Sequence, residues 1–100
     1  MAHDRNDVTI TGYLTENAIF KTTPSGRSVT ELKVAVNRDE EEHATYVSVD
    51  CWDTIGELCS DWQKGQRVVI CGRLKGILRK RPGGRYQSLI LVAEWVNEIN

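Results

Sequence analysis

The chain has 100 residues, 40% of them hydrophobic, which suffices for a core, and we predict a single domain over residues 1–100. The formal net charge of −1 gives no general argument for binding a polyanion. No apolar run approaches the roughly 20 residues that cross a bilayer, and the polar residues 1–7 do not resemble a signal peptide. These features predict a cytoplasmic protein with no membrane association.

The three cysteines, Cys51, Cys59 and Cys71, cannot all pair with one another, and none belongs to a CxxC motif. Each lies within an apolar pattern, which is typical of a buried thiol. We therefore predict buried free thiols in a reducing compartment rather than disulfides or a zinc site. No metal and no cofactor are expected.

The charges are unevenly distributed along the chain. Residues 39–61 contain eight acidic residues and no lysine or arginine, whereas residues 62–93 contain eight basic residues and no acid. Such segregation favours a polarised surface that attracts a polyanion on one side and repels it on the other. The alternative is two solvated blocks that fold side by side and cancel.

Residues 8–14 alternate apolar and polar side chains and predict the first strand, in which Gly12 indicates a bend or a close backbone approach. Residues 18–21 are expected to continue this strand after a kink. The sequence Thr-Pro-Ser-Gly at 23–26 has the chemistry of a tight turn, because proline presets φ and glycine tolerates positive φ. A second strand is predicted over 28–37. Alternation divides its side chains into an inward set of Leu32, Val34 and Val36 and an outward set of Glu31, Lys33 and Ala35.

Residues 45–52 alternate strictly and predict the third strand. Its outer face would show two large aromatic side chains beside polar groups. Such a face is typical of a binding platform, a subunit contact or a satellite of the core. The inward set is Val47, Val49 and Cys51, and the outward set is Tyr46, Ser48, Asp50 and Trp52.

One helix is predicted, over residues 54–64. Thr54 and Glu57 have the spacing of a capping box, and Gly65 follows as the C′ glycine. Apolar side chains recur at i, i+3, i+4 and i+7, which defines one helix face directed at the core. That face consists of Ile55, Leu58, Cys59 and Trp62.

The fourth and fifth strands are predicted over 66–78 and 86–99, joined by a hairpin with a Pro-Gly-Gly turn. Five strands with the only helix between the third and the fourth is the order of an OB-fold, an all-β Greek-key barrel. In that fold the second and third strands and the loops bind oligonucleotides. On the fourth strand the inward set is Val68, Ile70, Gly72 and Leu74. The basic side chains on its outward face include Arg73 and Lys75. The hairpin carries four more basic residues, Arg79, Lys80, Arg81 and Arg85.

Four segments resemble the bacterial single-stranded DNA-binding protein family. Residues 12–15 read Gly-Tyr-Leu-Thr where the family has Gly-x-Leu-Thr, and residues 34–38 read Val-Ala-Val-Asn-Arg, like its Ala-Val-Asn-Arg segment. Residues 46–52, Tyr-Val-Ser-Val-Asp-Cys-Trp, are similar to its aromatic-led strand before the helix. Residues 64–74 are similar to its segment Lys-Gly-x-x-Val-x-Val-x-Gly-Arg-Leu. The four segments span nearly the whole chain in the family's order.

The resemblance implies a nucleoid-associated OB-fold protein that binds single-stranded DNA in replication, recombination or repair. It also implies a homo-oligomer, a homotetramer or alternatively a homodimer, with Thr9, Thr11 and Tyr13 as candidates for the subunit interface. Stacking on aromatic rings accepts any base, and basic side chains neutralise phosphates. Tyr46 and Trp52 occupy the family's stacking positions. The full set of expected DNA contacts is Tyr46, Trp52, Lys21, Lys33, Arg38, Arg73, Lys75, Arg79, Lys80, Arg81, Arg85 and Tyr86.

The chain also departs from the family pattern. Residues 39–42 and 79–81 are charged where the family often has further stacking aromatics, and Asp50 replaces a usually apolar residue between the two platform aromatics. A Gly/Pro/Gln-rich linker and acidic tip, which recruit replication and repair proteins in the family, are expected to be absent. These departures favour a second hypothesis, a primosome-type OB module that bridges proteins and single-stranded DNA in replication restart.

An enzyme is a third hypothesis, for example a nuclease that uses residues 39–42 as metal ligands. A consecutive acidic run on a solvated loop does not converge on a metal ion, and no histidine or cysteine completes the set. We therefore predict no catalytic residues.

Overall fold

The computed structural model describes residues 3–100, in which six strands and one helix occur. The predicted domain boundary at residue 1 lies outside the described residues. No helix within residues 3–100 is long and apolar enough to cross a membrane. The elements are β1 (Val8–Leu14), β2 (Ile19–Thr22), β3 (Ser28–Val36), β4 (Thr45–Trp52), α1 (Asp53–Cys59), β5 (Arg67–Arg81) and β6 (Gly84–Glu98).

The strands form one sheet that closes into a barrel. Their order is β1-β5-β6-β4-β3-β2, and an additional β1–β3 pairing closes the sheet on itself. Only β4 and β6 are parallel neighbours; the other pairs among the described strands are antiparallel. This is the predicted OB-fold. The strand count is six rather than five because the chain bends after Leu14, and β2 then pairs with β3 as a separate strand.

Barrel closure depends on a close approach at Gly12, as the sequence predicted. A Cβ atom at this position would lie 2.2 Å from the backbone oxygen of Ala35, so no larger residue fits without a shift of β1 or β3. The register there places Tyr13 opposite Ala35 and Leu14 opposite Val34. The residue without a side chain therefore lies where β1 passes from its pairing with β5 to its pairing with β3.

The core lies inside the barrel and beneath α1. Each fully buried leucine or isoleucine stabilises the fold by about 1.5–3 kcal/mol relative to an exposed one. The Thr30 hydroxyl, also buried, donates to the Gly56 carbonyl at 2.6 Å and ties β3 to the helix. Trp62 packs against the cluster partly buried, which confirms its predicted core role. The buried cluster comprises Leu14, Leu32, Val34, Val49, Cys51, Cys59, Val68, Ile70, Leu91 and Ala93.

The helix is shorter than predicted. It begins at Asp53 and ends at Cys59, and its N-cap, Trp52, makes no side-chain capping bond, so the predicted capping box is wrong. After Ser60 the backbone bonds to the segment that follows β1 instead of continuing the helix. The hydrogen bonds are Ala18 N to Trp62 O at 2.9 Å, Lys64 N to Asn17 Oδ1 at 2.9 Å and Gly65 N to Leu14 O at 2.8 Å.

Four predicted exposures are also wrong. Leu58 was expected on the helix face directed at the core but is 67% exposed, because the short helix turns Gly56 and Cys59 to the core instead. Ala35 was expected to point outward into solvent but is buried, because Tyr13 and Tyr46 lie opposite it on the two neighbouring strands. Leu74 was expected in the core but is 40% exposed, since β5 and β6 extend past the barrel as a two-stranded hairpin. All three cysteines carry free thiols, but Cys71 is only half-buried, because it lies on the outer face of β5.

Candidate nucleic-acid interface

The outer faces of β3 and β4 carry both proposed stacking residues, Tyr46 and Trp52, together with Lys33, whereas seven of the twelve candidates lie on β5 and β6. Residues directly opposite on neighbouring strands point to the same side of a sheet, so the register defines this face. The β5–β6 hairpin extends it and encloses with it a cavity of about 140 Å³. We call this surface the groove. Its cross-strand pairs, from one end to the other, are Ala35–Tyr46, Lys33–Ser48, Glu31–Asp50 and Val29–Trp52.

Tyr46 lies at one end of the groove with its ring open to solvent. Its side chain is 73% exposed, and its cross-strand neighbour is the small Ala35. On the other side of Ala35 lies Tyr13, so an alanine separates two tyrosines across three strands. An exposed ring on a rigid strand can accept a base without moving any other side chain.

Trp52 lies at the other end of the groove, and its ring is half-buried. The guanidinium carbon of Arg27 is 4.5 Å from the ring centroid, a cation–π contact that covers one ring face. Arg27 Nη2 in turn donates to Asp53 Oδ2 at 2.8 Å. This bond lowers the pKa of the Asp53 carboxyl. A base that stacks on the covered face of Trp52 must therefore displace Arg27.

Arg27 is a site residue that the sequence reasoning missed. Alternation could have placed Arg27 on the outward face of the second predicted strand, since it comes two residues before Val29, but only the register of β3 on β4 brings that face opposite Trp52. Its partner Asp53 has a φ of 52°, in the left-handed region that aspartate adopts more readily than most residues. No sequence pattern indicated this backbone conformation.

Lys21 and Lys33 face the groove, but each already has a partner. Lys21 Nζ is 3.1 Å from Glu31 Oε1, and Lys33 Nζ donates to Ser48 Oγ at 2.9 Å. Both contacts are on the surface, where an ion pair is worth about 0–1 kcal/mol. A phosphate can therefore replace either partner at small cost.

Two carboxylates face each other at the centre of the groove. Asp50 is directly opposite Glu31 on the neighbouring strand, a like-charge pairing that destabilises a sheet. Burial raises the pKa of the Asp50 carboxyl, and the charge of Glu31 raises it further, while Lys33, Lys75 and Lys21 oppose both effects. The centre of the groove therefore holds two carboxylates close to Lys21 and Lys33, whereas the hairpin edge carries bases.

The register divides the basic hairpin into two faces. Arg79 is opposite Tyr86, and Arg79 also lines the cavity, so both side chains lie on the groove side. Arg79 Nε donates to Ser88 Oγ at 2.6 Å, and the guanidinium carbon of Arg81 lies 5.0 Å from the Tyr86 ring centroid. Lys75 shares this face, as does Arg73, which forms a 3.5 Å ion pair with Glu94.

Lys80 and Arg85 lie on the other face of the hairpin. They are opposite each other in the register and therefore point away from the groove. Exposed leucines share that face with them, at positions 74, 78 and 89. The structure thus separates this pair from the other hairpin bases, which the sequence had grouped together.

Arg38 and the acidic loop after β3 lie beyond the Tyr46 end of the groove. Arg38 is paired with Glu40, and this bond lowers the pKa of the Glu40 carboxyl. In the described part of the chain, no three His, Cys, Asp or Glu side chains are grouped so that they could hold a metal ion. The acidic loop therefore shows no metal-ligand geometry.

Comparison with known proteins gives a consistent result. A family model described as the single-strand binding protein family matches residues 5–97. The single-stranded DNA-binding protein of Thermus aquaticus is 34% identical over 73 residues, which cover 69% of this chain and 28% of that protein. That of Aquifex aeolicus is 29% identical over 106 residues, covering 95% of this chain and 70% of its own length.

A solved structure shows the same fold. The crystal structure of the wild-type single-stranded DNA binding protein from Thermus aquaticus superposes with a TM-score of 0.79 at 25% identity, over 96% of this chain and 41% of that chain. The chain therefore spans less than half of that structure, and little more than a quarter of the length of its Thermus relatives. Since the family model matches every strand that builds the groove, the chain belongs to the single-strand binding protein family.

Proposed function

We propose that this chain binds single-stranded DNA in the groove, without reading a specific sequence, as a non-catalytic protein of replication, recombination or repair. Under this proposal it is nucleoid-associated. The observation that carries the proposal is the arrangement of β4, which holds the open ring of Tyr46 at one end of the groove and Trp52 at the other. Family membership and the names of the relatives support the same function.

Stacking supplies the first part of the binding energy. Tyr46 and Trp52 are separated along one strand by six residues, or about 20 Å at 3.3–3.4 Å per residue. A single strand can lie along this length with one base on each ring. Each stacked base contributes about 1–3 kcal/mol, whatever its identity, because every base has a π-face.

Phosphate contacts supply the second part. Arg79 and Arg81 lie on the groove side of the hairpin, next to Lys75, and they can follow a backbone that runs along the groove edge. Each phosphate neutralised on a single strand adds about −0.7 to the slope of log affinity against log salt. We assign Lys80 and Arg85 a smaller part, because they point away from the groove.

We further propose that the chain assembles into a homotetramer, with a homodimer as the alternative. Among residues 3–100, two groups of exposed apolar side chains on β5 and β6 lie outside the groove. One is the outer face of β1, β5 and β6, where Trp95 is 49% exposed next to Cys71 and Thr9; the other is the hairpin face with Leu78 and Leu89, which are 61% and 59% exposed. Two independent self-contacts generate a tetramer as a pair of dimers, whereas one generates a dimer. Light scattering would distinguish them by mass.

The test is a fluorescence titration with oligo-dT at several salt concentrations. A Trp62→Phe/Trp95→Phe variant leaves Trp52 as the reporting tryptophan, and we expect its emission to be quenched by bound bases. An Arg79→Gln/Arg81→Gln variant should have a shallower salt slope than a Lys64→Gln/Arg67→Gln control. That control removes two equal charges outside the groove. Unquenched emission together with an unchanged slope would disprove this binding mode.

A further inference from the structure

The carboxylates at the centre of the groove limit how a bound strand can lie. Glu31 and Asp50 are directly opposite each other, between the two proposed stacking positions. Lys21 pairs with Glu31, but no ion pair to Asp50 occurs among residues 3–100, so a phosphate placed here would be repelled mainly by the partly buried Asp50 carboxylate. A strand in this groove, as proposed above, therefore keeps its phosphates at the basic hairpin and turns its bases towards the two carboxylates.

The cavity at this point offers both acceptors and donors to a base. The carboxylate oxygens of Glu31 and Asp50 accept hydrogen bonds only. Lys33 and Arg79 line the same cavity and can only donate. Ser48, which already accepts a bond from Lys33 at 2.9 Å, can serve in either role. The cavity has a volume of about 140 Å³ and is partly open to solvent.

We propose that Glu31 and Asp50 form a base-selective subsite that favours bases with an exocyclic amino group, cytosine above all, over thymine. This inference rests on the proposed function. The N4 amino group of cytosine donates to a carboxylate, which is the ordinary pairing of Asp or Glu with this base. Its ring nitrogen and carbonyl oxygen can then accept from Lys33 and Arg79. Thymine presents a carbonyl oxygen where cytosine has the amino group, so it turns an acceptor towards two carboxylates.

The experiment compares oligo-dC with oligo-dT of equal length by competition, at one salt concentration and neutral pH. The two oligonucleotides have the same charge and pyrimidine bases of similar size. The ratio of their affinities therefore reports the hydrogen-bonding groups on the edge of the base. A Glu31→Gln/Asp50→Asn variant removes both carboxylates with little change in shape. The matched control, Glu41→Gln/Glu98→Gln, removes two exposed charges outside the groove and should strengthen binding of both oligonucleotides alike.

We expect the dC:dT affinity ratio of the unmodified chain to exceed that of the Glu31→Gln/Asp50→Asn variant by about five- to tenfold, the scale of one good contact to a base edge. The control variant should keep the original ratio. A ratio that is the same in all three proteins overturns the subsite while the DNA-binding function stands. Absence of binding to both oligonucleotides, in all three proteins, overturns the proposed function and the subsite with it. Thermal melting of each variant verifies that it is folded.

Discussion

Tyr46→Ala tests the stacking mechanism with the least disturbance to the fold. Tyr46 is the most exposed aromatic side chain among residues 3–100, at 73%. Its ring covers little beyond Ala35, and changes at exposed positions usually alter stability by less than about 0.5 kcal/mol. Any loss of DNA affinity therefore reports the missing ring rather than partial unfolding.

The expected loss of DNA affinity in Tyr46→Ala follows from the exposure of the Tyr46 ring. A stacked base is worth about 1–3 kcal/mol. At Tyr46 no side-chain contact has to be broken first, in contrast to Trp52, whose ring face is occupied by Arg27. We therefore expect a value near the middle of the range, about 2 kcal/mol, which corresponds to a roughly 30-fold weaker affinity for oligo-dT.

The assay is an anisotropy titration with labelled oligo-dT, and two further variants sharpen it. Tyr46→Phe keeps the ring and should bind nearly as well as the unmodified chain. Leu58→Ala removes a comparably exposed apolar side chain, 67% exposed on α1, and should have no effect. If Tyr46→Ala binds as tightly as Tyr46→Phe, stacking at this end of the groove is refuted.

Three other predictions concern different parts of the structure. Asp53→Asn should strengthen binding of oligo-dT more than the charge-matched Asp61→Asn, as measured in parallel titrations. The substitution releases the Arg27 guanidinium that covers the Trp52 ring, and asparagine tolerates the φ of 52° at this position. Gly12→Ala should lower the free energy of unfolding by about 1–3 kcal/mol or more in urea denaturation, because its Cβ would lie 2.2 Å from a carbonyl oxygen of β3. Binding of oligo-dT should tighten as the pH falls towards the raised pKa of Asp50, since protonation removes a charge that faces the strand. Asp50→Asn should flatten this pH dependence of the affinity. An equally steep pH dependence in the variant would contradict the prediction.

Much of the fold follows from local patterns in the sequence. Period-two alternation placed β1 and β4 at the residues where the structure has them, and the Pro-Gly-Gly segment correctly marked the hairpin turn. The same alternation put Tyr46 and Trp52 on one face. These features depend on backbone geometry and on the distribution of apolar residues along one segment, which a single sequence records directly.

The errors occur where distant segments meet. Ala35 is buried by tyrosines on two other strands, and the helix ends early because backbone groups after Ser60 bond to residues near β1. The contact between Arg27 and Trp52 likewise requires the register of β3 on β4. Alternation along one strand carries no information about such register, so these features could not be predicted.

The structure also resolves the question that the charge segregation raised. The acidic and basic blocks neither form opposite sides of the molecule nor simply cancel, because Asp50 from the first block shares the groove with Arg79 from the second. A surface with carboxylates in the middle and bases at the edge attracts a strand only if its phosphates remain at that edge. The overall charge of −1 is then compatible with DNA binding, since the field along the backbone path, rather than the net charge, determines the phosphate contribution. On the proposed path the bases face Glu31 and Asp50, which is why we expect affinity to depend modestly on base composition.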